Sequence, residues 1–267
     1  MNVNTCIVGD NRDVLPTLAA GSVQLVVTSP PYDDMRSYNG YSWDFETVAR
    51  EMYRVLCDGG VCCWIVGDQT KDGSESLTSA KQKIFFREQC GFRIHDTMFY
   101  EKSNPGNPSD GQGRYNQCVE YIFVMSKGAP RTFNPIKDKP NVSFGIQRFG
   151  VKARKNSQGE KDGTFLDRKP AAEFGLRSNC WRGNTSAQES PCSVKDHPAV
   201  MPLWLARDLI YSWSNPGDLV LDPHFGSGQV GKAAALLGRN WLGIEISPAY
   251  EKLSRERTAQ MGMELVV

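Results

Sequence analysis

The sequence predicts an α/β fold in which a doubly wound sheet carries one basic insertion. Three observations lead there. Short apolar runs alternate with amphipathic stretches of helix length, the pattern of parallel strands joined by crossover helices. That alternation stops between about residues 128 and 195 and then resumes. The 267 residues, 40% of them hydrophobic and 10% aromatic, fit one domain with an insertion better than two large ones.

Thr5-Cys6-Ile7-Val8 is a first strand ending at Gly9-Asp10. A brief helix from about Arg12 to Leu18 follows, and Gly21 terminates it. Val23 to Val27 is continuously apolar, as in a strand buried on both faces. It runs into Thr28-Ser29-Pro30-Pro31-Tyr32, and two prolines cannot continue a central strand, so the chain must break there. Asp44 is an N-cap for a helix that places Phe45, Val48, Ala49, Met52 and Leu56 on one face. Gly59-Gly60 is expected to end that helix, and Val61 to Val66 is another buried strand. A helix from Thr78 to Cys90 and strands at Phe92 to Glu101 and Cys118 to Met125 complete this half. Beyond the insertion, a helix near Pro198 to Trp213 precedes the strand Leu219-Val220-Leu221. The turn Asp222 to Gly228 then leads into a helix stopped by Gly238. Trp241 to Ile244 is the last strand, ending at Glu245, and Ser247-Pro248 opens the final helix.

Several classes are excluded by simple counts. The longest apolar run, Val61 to Val66, is too short to span a bilayer. The N-terminus lacks the charged and apolar regions of a secretory signal. Eight cysteines form no CxxC pair, and Cys6, Cys62 and Cys63 fall inside expected strands, which reads as reduced thiols in a cytosolic protein. Cys180, Cys192 and His197 match no standard zinc spacing. The net charge of +1 conceals an asymmetry: residues 127–195 hold 14 Lys/Arg against 6 Asp/Glu, a balance of +8, which leaves −7 for the rest. Such a stretch is either a solvated surface or a platform for a polyanion.

Two turns carry chemistry. Asp222 to Gly228 joins a strand to a helix through glycines, which lets a cofactor approach the backbone and the helix N-terminus. Glu245 lies about 20 residues further on, where an acid can accept both hydroxyls of a ribose. The turn reads Gly226-Ser227-Gly228-Gln229-Val230-Gly231-Lys232, which fits GxGxxG, but Ala233 stands where a phosphate-binding loop has Ser or Thr, so a triphosphate fits poorly. S-adenosylmethionine, with a ribose and no phosphate, fits better. Ser29-Pro30-Pro31-Tyr32 suits methylation of an exocyclic base amine, whose lone pair is delocalised into the ring and is poorly nucleophilic. Acceptors for the amine hydrogens, the Ser29 hydroxyl and the Pro30 carbonyl, would draw the nitrogen toward a tetrahedral geometry. The prolines fix the turn without adding competing donors, and Tyr32 would stack on an extruded base.

On these residues the chain resembles the amino-methylating DNA methyltransferases that use S-adenosylmethionine. The catalytic Thr28-Ser29-Pro30-Pro31-Tyr32 comes first and the cofactor turn last, which resembles the beta group of that family. RNA and protein-glutamine methyltransferases with a related Pro-Pro-Tyr have the opposite order. A cytosine C5 enzyme would need a cysteine nucleophile, and Pro191-Cys192 lies on the wrong side of the cofactor turn. The likeness implies that Asp10 holds the adenine amine, Glu245 the ribose, and His197-Pro198 through Pro202 the methionine end. The full cofactor set it implies is Asp10, Thr28, His197, Pro198, Pro202, Asp222, Pro223, His224, Phe225, Gly226, Ser227, Gly228 and Glu245. Two positions depart from the usual pattern: His224 stands where Phe is usual and Gln229 where Thr is common, and Phe225 is left to pack on the adenine.

The fold expected is thus a Rossmann-like doubly wound seven-stranded mixed sheet with a basic target-recognition insertion. Residues 1–127 form the catalytic half of the methyltransferase domain, 128–195 the insertion and 196–267 the cofactor-binding half. Double-stranded DNA is the expected partner, contacted by Arg148, Lys152, Arg154, Lys155, Arg177 and Arg182, and the family likeness implies a homodimer and no membrane. In the family, Ser before Pro-Pro-Tyr is typical of cytosine-N4 enzymes, which favours cytosine N4 over adenine N6. A catalytically silent DNA-binding regulator is the rival from another class.

Overall fold

The computed structural model describes residues 2–31, 44–104, 113–145, 149–155, 161–167, 171–186 and 200–259, with 149–155 and 161–167 given by their backbone. The chain divides into two compact units. One comprises Met1–Asn134 with Asn179–Val267, the other Pro135–Ser178.

The larger unit is built on one sheet. Its strands in chain order are β1 (Thr5–Val8), β2 (Val23–Thr28), β3 (Leu56–Val66), β4 (Arg93–Lys102), β5 (Val119–Ser126), β6 (Cys180–Gly183), β7 (Leu219–Asp222) and β8 (Asn240–Glu245). Across the sheet they run β1-β8-β7-β2-β3-β5-β4-β6. Every neighbouring pair is parallel except those made by β5, which is antiparallel to both β3 and β4. The doubly wound mixed sheet is as expected, with one strand more than the seven. Cys180–Gly183, inside the stretch read as insertion, pairs with Phe99–Lys102 at the edge. Only Trp181 of its four residues is buried, so it has no periodicity to read.

The topology fixes where a ligand can bind. From β2 the chain crosses to β3 on one side, and from β7 it crosses to β8 on the other, although β2 and β7 are neighbours. That reversal opens a crevice at the carboxyl ends of β2 and β7, the place where doubly wound sheets hold their ligands. Both strands are buried for most of their length, and Val61 to Val66 of β3 is at most 1% exposed.

Among the described residues, five helices of eight residues or more flank these strands, α1 (Phe45–Val55), α2 (Thr78–Phe85), α3 (Leu203–Trp213), α4 (Gln229–Leu236) and α5 (Pro248–Ala259), and a short helical turn, Asn11–Val14 with Leu15–Thr17, follows β1. Asp44 caps α1 as expected, accepting from Thr47 N–H at 3.2 Å and from the Thr47 hydroxyl at 2.8 Å. Val48, Ala49, Met52 and Val55 form its buried face. The helix ends at Val55, four residues before the glycines expected to stop it. Gly59 and Gly60 lie instead within β3, where the pairing with β2 shifts register and Gly59 adopts a φ of 76°. A π-helical turn, Phe86–Cys90, continues α2. Among the described residues no helix is long and apolar enough to cross a membrane.

The smaller unit contains an antiparallel hairpin, Phe149–Lys155 against Lys161–Asp167, and a two-residue pairing of Lys139–Pro140 with Phe174–Gly175. An ion pair joins Arg177 to Asp138 within it.

Candidate active site

Thr28, the last residue of β2, and Asp222, the last of β7, meet at the crevice. The Thr28 hydroxyl donates to Asp222 Oδ1 at 2.7 Å, linking residues 194 apart in sequence. The same carboxylate oxygen accepts the His224 backbone N–H at 3.0 Å, which folds the turn back on its strand. His224 Nδ1 lies 3.0 Å from Thr28 Oγ1. Ser29, half-buried, and Pro30, buried, emerge directly from this clasp.

Glu245 stands two strands away, at the end of β8. Its Oε2 accepts Gly226 N–H at 2.7 Å and its Oε1 accepts Ser247 N–H at 2.8 Å. Each carboxylate oxygen keeps a further lone pair, the acceptor set that two ribose hydroxyls require. Asp10 lies two residues past β1, whose Val8 is in register with Glu245, and Gly9 N–H donates to the Glu245 carbonyl at 2.9 Å. Asp10 also accepts from Arg12: the backbone N–H at 2.9 Å and the guanidinium at 2.6 Å. Asn11 Nδ2 reaches the Pro223 carbonyl at 3.1 Å and so ties the Asp10 turn to the cofactor turn.

The acids differ in charge state. The Arg12 guanidinium holds the Asp10 carboxyl below its usual range, so it is ionised at neutral pH. Burial pushes Asp222 up to about 7 against the hydrogen bonds from Thr28 and His224. Burial also raises Glu245, while three backbone N–H groups oppose the rise. His224 is driven down to about 3 by burial and is a neutral imidazole. Buried Cys62 and Cys63 are raised by desolvation and remain thiols.

The structure brings together Thr28, Ser29, Pro30, Pro31, Asp222, Pro223, His224, Gly226, Ser227 and Gly228, with Asp10 and Glu245 at the neighbouring strand ends. Phe225 requires a correction. Its ring is 3% exposed and stacks on Trp241 at 5.2 Å and 10°, over Gly231 and Gly243. It therefore points into the core and does not face an adenine. Pro202 caps the start of α3. Arg182 lies on the edge strand β6, 3.6 Å from Glu101, in the larger unit. Arg177 is engaged by Asp138. Tyr32, Arg148, Cys192, His197 and Pro198 lie outside the described residues, as do the side chains of Lys152, Arg154 and Lys155. Sequence reasoning missed Asn11, Arg12 and Trp64. Trp64 is the β3 register partner of Thr28, and its ring meets His224 edge-on at 6.0 Å.

Acids at neighbouring strand ends suit a ribose and an amine. A doubly wound sheet with this crevice is the architecture of an α/β methyltransferase. Residues 23–256 match the family described as DNA methylase, the N6/N4 enzymes, and the chain belongs to that family. The orphan methyltransferase M.BamHII of Bacillus amyloliquefaciens is 44% identical over 238 residues, 88% of each chain. The DNA adenine methyltransferase YhdJ of Escherichia coli (strain K12) is 28% identical, over 95% of this chain and 82% of its own. Among solved structures, the cytosine-N4-specific PvuII DNA methyltransferase shares the fold with a TM-score of 0.67 at 18% identity, over 94% of this chain and 85% of that one. A DNA modification methylase of Thermus thermophilus, TTHA0409, complexed with S-adenosyl-L-methionine, has a TM-score of 0.61 at 26% identity, over 96% of this chain and 93% of its own.

Two outcomes are expected from this packing. A Cβ on Gly243 would sit 2.3 Å from the Phe225 ring, so Gly243→Ala should cost about 1–3 kcal/mol. Thermal melting should show a drop of several degrees, and an unchanged midpoint would mean that Phe225 is not wedged there. The second outcome concerns pH. The unfolded chain protonates position 224 below its ordinary 6.5, whereas the folded imidazole stays neutral to about 3, so this residue lowers stability as pH falls through that window. Asp222, raised to about 7, has the opposite slope: it lowers stability as pH rises from its ordinary 3.8 toward 7. His224→Phe should therefore gain on the wild type by about 2 kcal/mol between pH 7.5 and 5. Parallel melting profiles over that range would contradict the buried neutral ring.

Proposed function

We propose that the protein methylates the exocyclic amine of a base in double-stranded DNA, with cytosine N4 the favoured target. The observation that carries this reading is the Thr28–Asp222 hydrogen bond, which sets the Ser29-Pro30-Pro31 turn beside the cofactor turn at the switch point of the sheet. The family's methyl donor is S-adenosylmethionine, and the carboxylates found here fit it. Glu245 takes the ribose hydroxyls, Asp10 the adenine amine, and the backbone of Pro223 and Gly226 to Gly228 lies along the nucleoside. When bound, S-adenosylmethionine supplies a methyl group activated by a positively charged sulfur.

The chain's own residues then have a limited task. Ser29 Oγ and the Pro30 carbonyl accept the two amine hydrogens, which draws the nitrogen lone pair out of conjugation and aims it at the methyl carbon. With S-adenosylmethionine held by Asp10 and Glu245, its methyl group would pass to the nitrogen lone pair and leave a neutral thioether, and the product amine would release one proton toward solvent. Tyr32 stacks on the extruded base. Alignment and exclusion of water supply most of the acceleration, so no general base is required. Ser29 supports cytosine N4, and adenine N6 is the alternative target of the same chemistry; relatives carrying either name belong to the family. A homodimer and a cytoplasmic, nucleoid-associated location rest on the family likeness alone.

The basic stretch, with Arg148, Lys152, Arg154 and Lys155, is assigned to DNA phosphates. Arg177, paired with Asp138, contributes less, and Arg182 approaches DNA from the sheet edge.

Three experiments test these assignments. Ser29→Ala and Tyr32→Ala should lower methyl transfer by roughly 10²-fold or more while cofactor binding stays within a few-fold, and Glu245→Ala should lose cofactor binding. The reverse pattern would invert the two halves of the site. Mass spectrometry of nucleosides from DNA methylated by the wild type should give N4-methylcytosine; N6-methyladenine alone would reject the cytosine assignment, and no modified base would favour the silent regulator. Neutralising the four basic residues should flatten the salt dependence of DNA binding by about 0.9 per lost phosphate contact. An unchanged slope would place the DNA elsewhere.

A further inference from the structure

We propose that His224 is a positioning residue for methyl transfer, holding the Ser29-Pro30-Pro31 backbone in register with the cofactor turn through its hydrogen bond to Thr28. The proposal rests on the reading above and adds to it a residue that stands where the family's usual pattern has Phe.

His224 touches the carboxyl ends of three adjacent parallel strands. Its backbone N–H donates to Asp222 of β7 at 3.0 Å, its Nδ1 lies 3.0 Å from Thr28 Oγ1 of β2, and its ring meets Trp64 of β3 edge-on at 6.0 Å and 80°. Thr28 and Trp64 are themselves register partners, and the Trp64 indole N–H is anchored on Gln82 Oε1 at 2.8 Å. The imidazole therefore sits where the cofactor strand, the catalytic strand and the next strand converge.

Proton counting defines the bond. The Thr28 hydroxyl has one proton and gives it to Asp222 at 2.7 Å. With that proton committed to Asp222 Oδ1, the hydrogen between Thr28 and His224 must come from Nδ1, so the ring is the Nδ1–H tautomer and Thr28 Oγ1 accepts. Threonine is stiff at χ1, and a hydroxyl that donates on one side and accepts on the other has its rotamer held at both ends. Thr28 directly precedes Ser29. Any rotation there moves the Ser29 hydroxyl and the Pro30 carbonyl, the two groups assigned to the base amine. Misplacement of about 1 Å at a reacting centre can cost on the order of 10²-fold in rate. A phenylalanine at 224 could keep the edge contact with Trp64 but has no hydrogen to offer Thr28. In this chain the imidazole adds a polar link that an apolar ring cannot make.

The test is steady-state methyl transfer from tritiated S-adenosylmethionine to long unmethylated phage DNA, with cofactor affinity measured separately by titration. His224→Phe should lower kcat by on the order of tenfold or more and leave cofactor affinity within about threefold. His224→Asn, whose amide N–H lies near the place of Nδ1, should retain kcat within about threefold, whereas His224→Gln, with its donor displaced toward Nε2, should resemble the Phe variant. In a Thr28→Val background, His224→Phe should cost less than about twofold more, because the shared bond is already lost. Equal kcat for the Phe and Asn variants, or a Phe effect undiminished in Thr28→Val, would overturn the positioning role. Should the Phe variant fail to fold, the Asn and Gln pair decides alone, and equal rates for those two would overturn it. Wild-type protein that neither binds the cofactor nor methylates DNA would overturn the methyltransferase reading and this proposal together.

Discussion

A buried hydrogen bond, from the Thr28 hydroxyl to the Asp222 carboxylate, ties the turn after β2 to the turn after β7. It spans 194 residues of sequence and closes the gap between two strands whose crossovers diverge. Sheet geometry alone would bring β2 and β7 side by side, since Leu221 pairs with Val26. Backbone pairing does not reach the last residue of either strand, and the side chains complete it. Because Thr28 leads into Ser29 and Asp222 into the glycine turn, the spacing of those two turns depends on this contact. Burial raises the cost of leaving it unmade, since an unsatisfied carboxyl at the centre of the sheet would be heavily penalised.

The framework of the molecule was legible in its sequence because the strands that build the crevice are uniformly apolar. Val23 to Val27 and Val61 to Val66 announce burial on both faces, and the Pro-Pro break and the glycine turn mark where strands must stop. The acids Asp10 and Glu245 follow from the same logic, because Glu245 closes a strand of the parallel set and Asp10 lies just past the end of another. Other features depend on tertiary context. The edge strand Cys180–Gly183 buries one side chain of four and has no period to detect. Gly59 and Gly60 carry a stop signal, yet here they serve a bulge inside a strand, a use that only the pairing with β2 reveals. Phe225 resembles an exposed turn aromatic, and its inward direction is set by the slot that Gly231 and Gly243 open beside Trp241. The Arg12 clamp on Asp10 depends on the turn geometry after β1 and leaves no mark in composition.

The charge asymmetry has a physical meaning once the halves are assigned. The methyl donor is cationic and the catalytic unit is lined with carboxylates, while the excess of Lys and Arg is concentrated in a stretch that includes the hairpin Phe149–Lys155 with Lys161–Asp167. On the proposed assignment, donor and polyanionic substrate meet fields of opposite sign in one chain. The near-zero net charge is the sum of two specialised surfaces.

The central claim is that the carboxyl ends of β1, β8, β7 and β2 form one continuous site, acids for the nucleoside at one end and the Ser29 turn for the base at the other. A crystal structure of the protein with S-adenosylhomocysteine tests it most directly. The expected result is a ligand with its ribose hydroxyls on Glu245, its adenine amine at Asp10 and its sulfur facing the Ser29-Pro30 turn. A ligand bound away from Glu245, or with its sulfur turned away from Ser29, would contradict it.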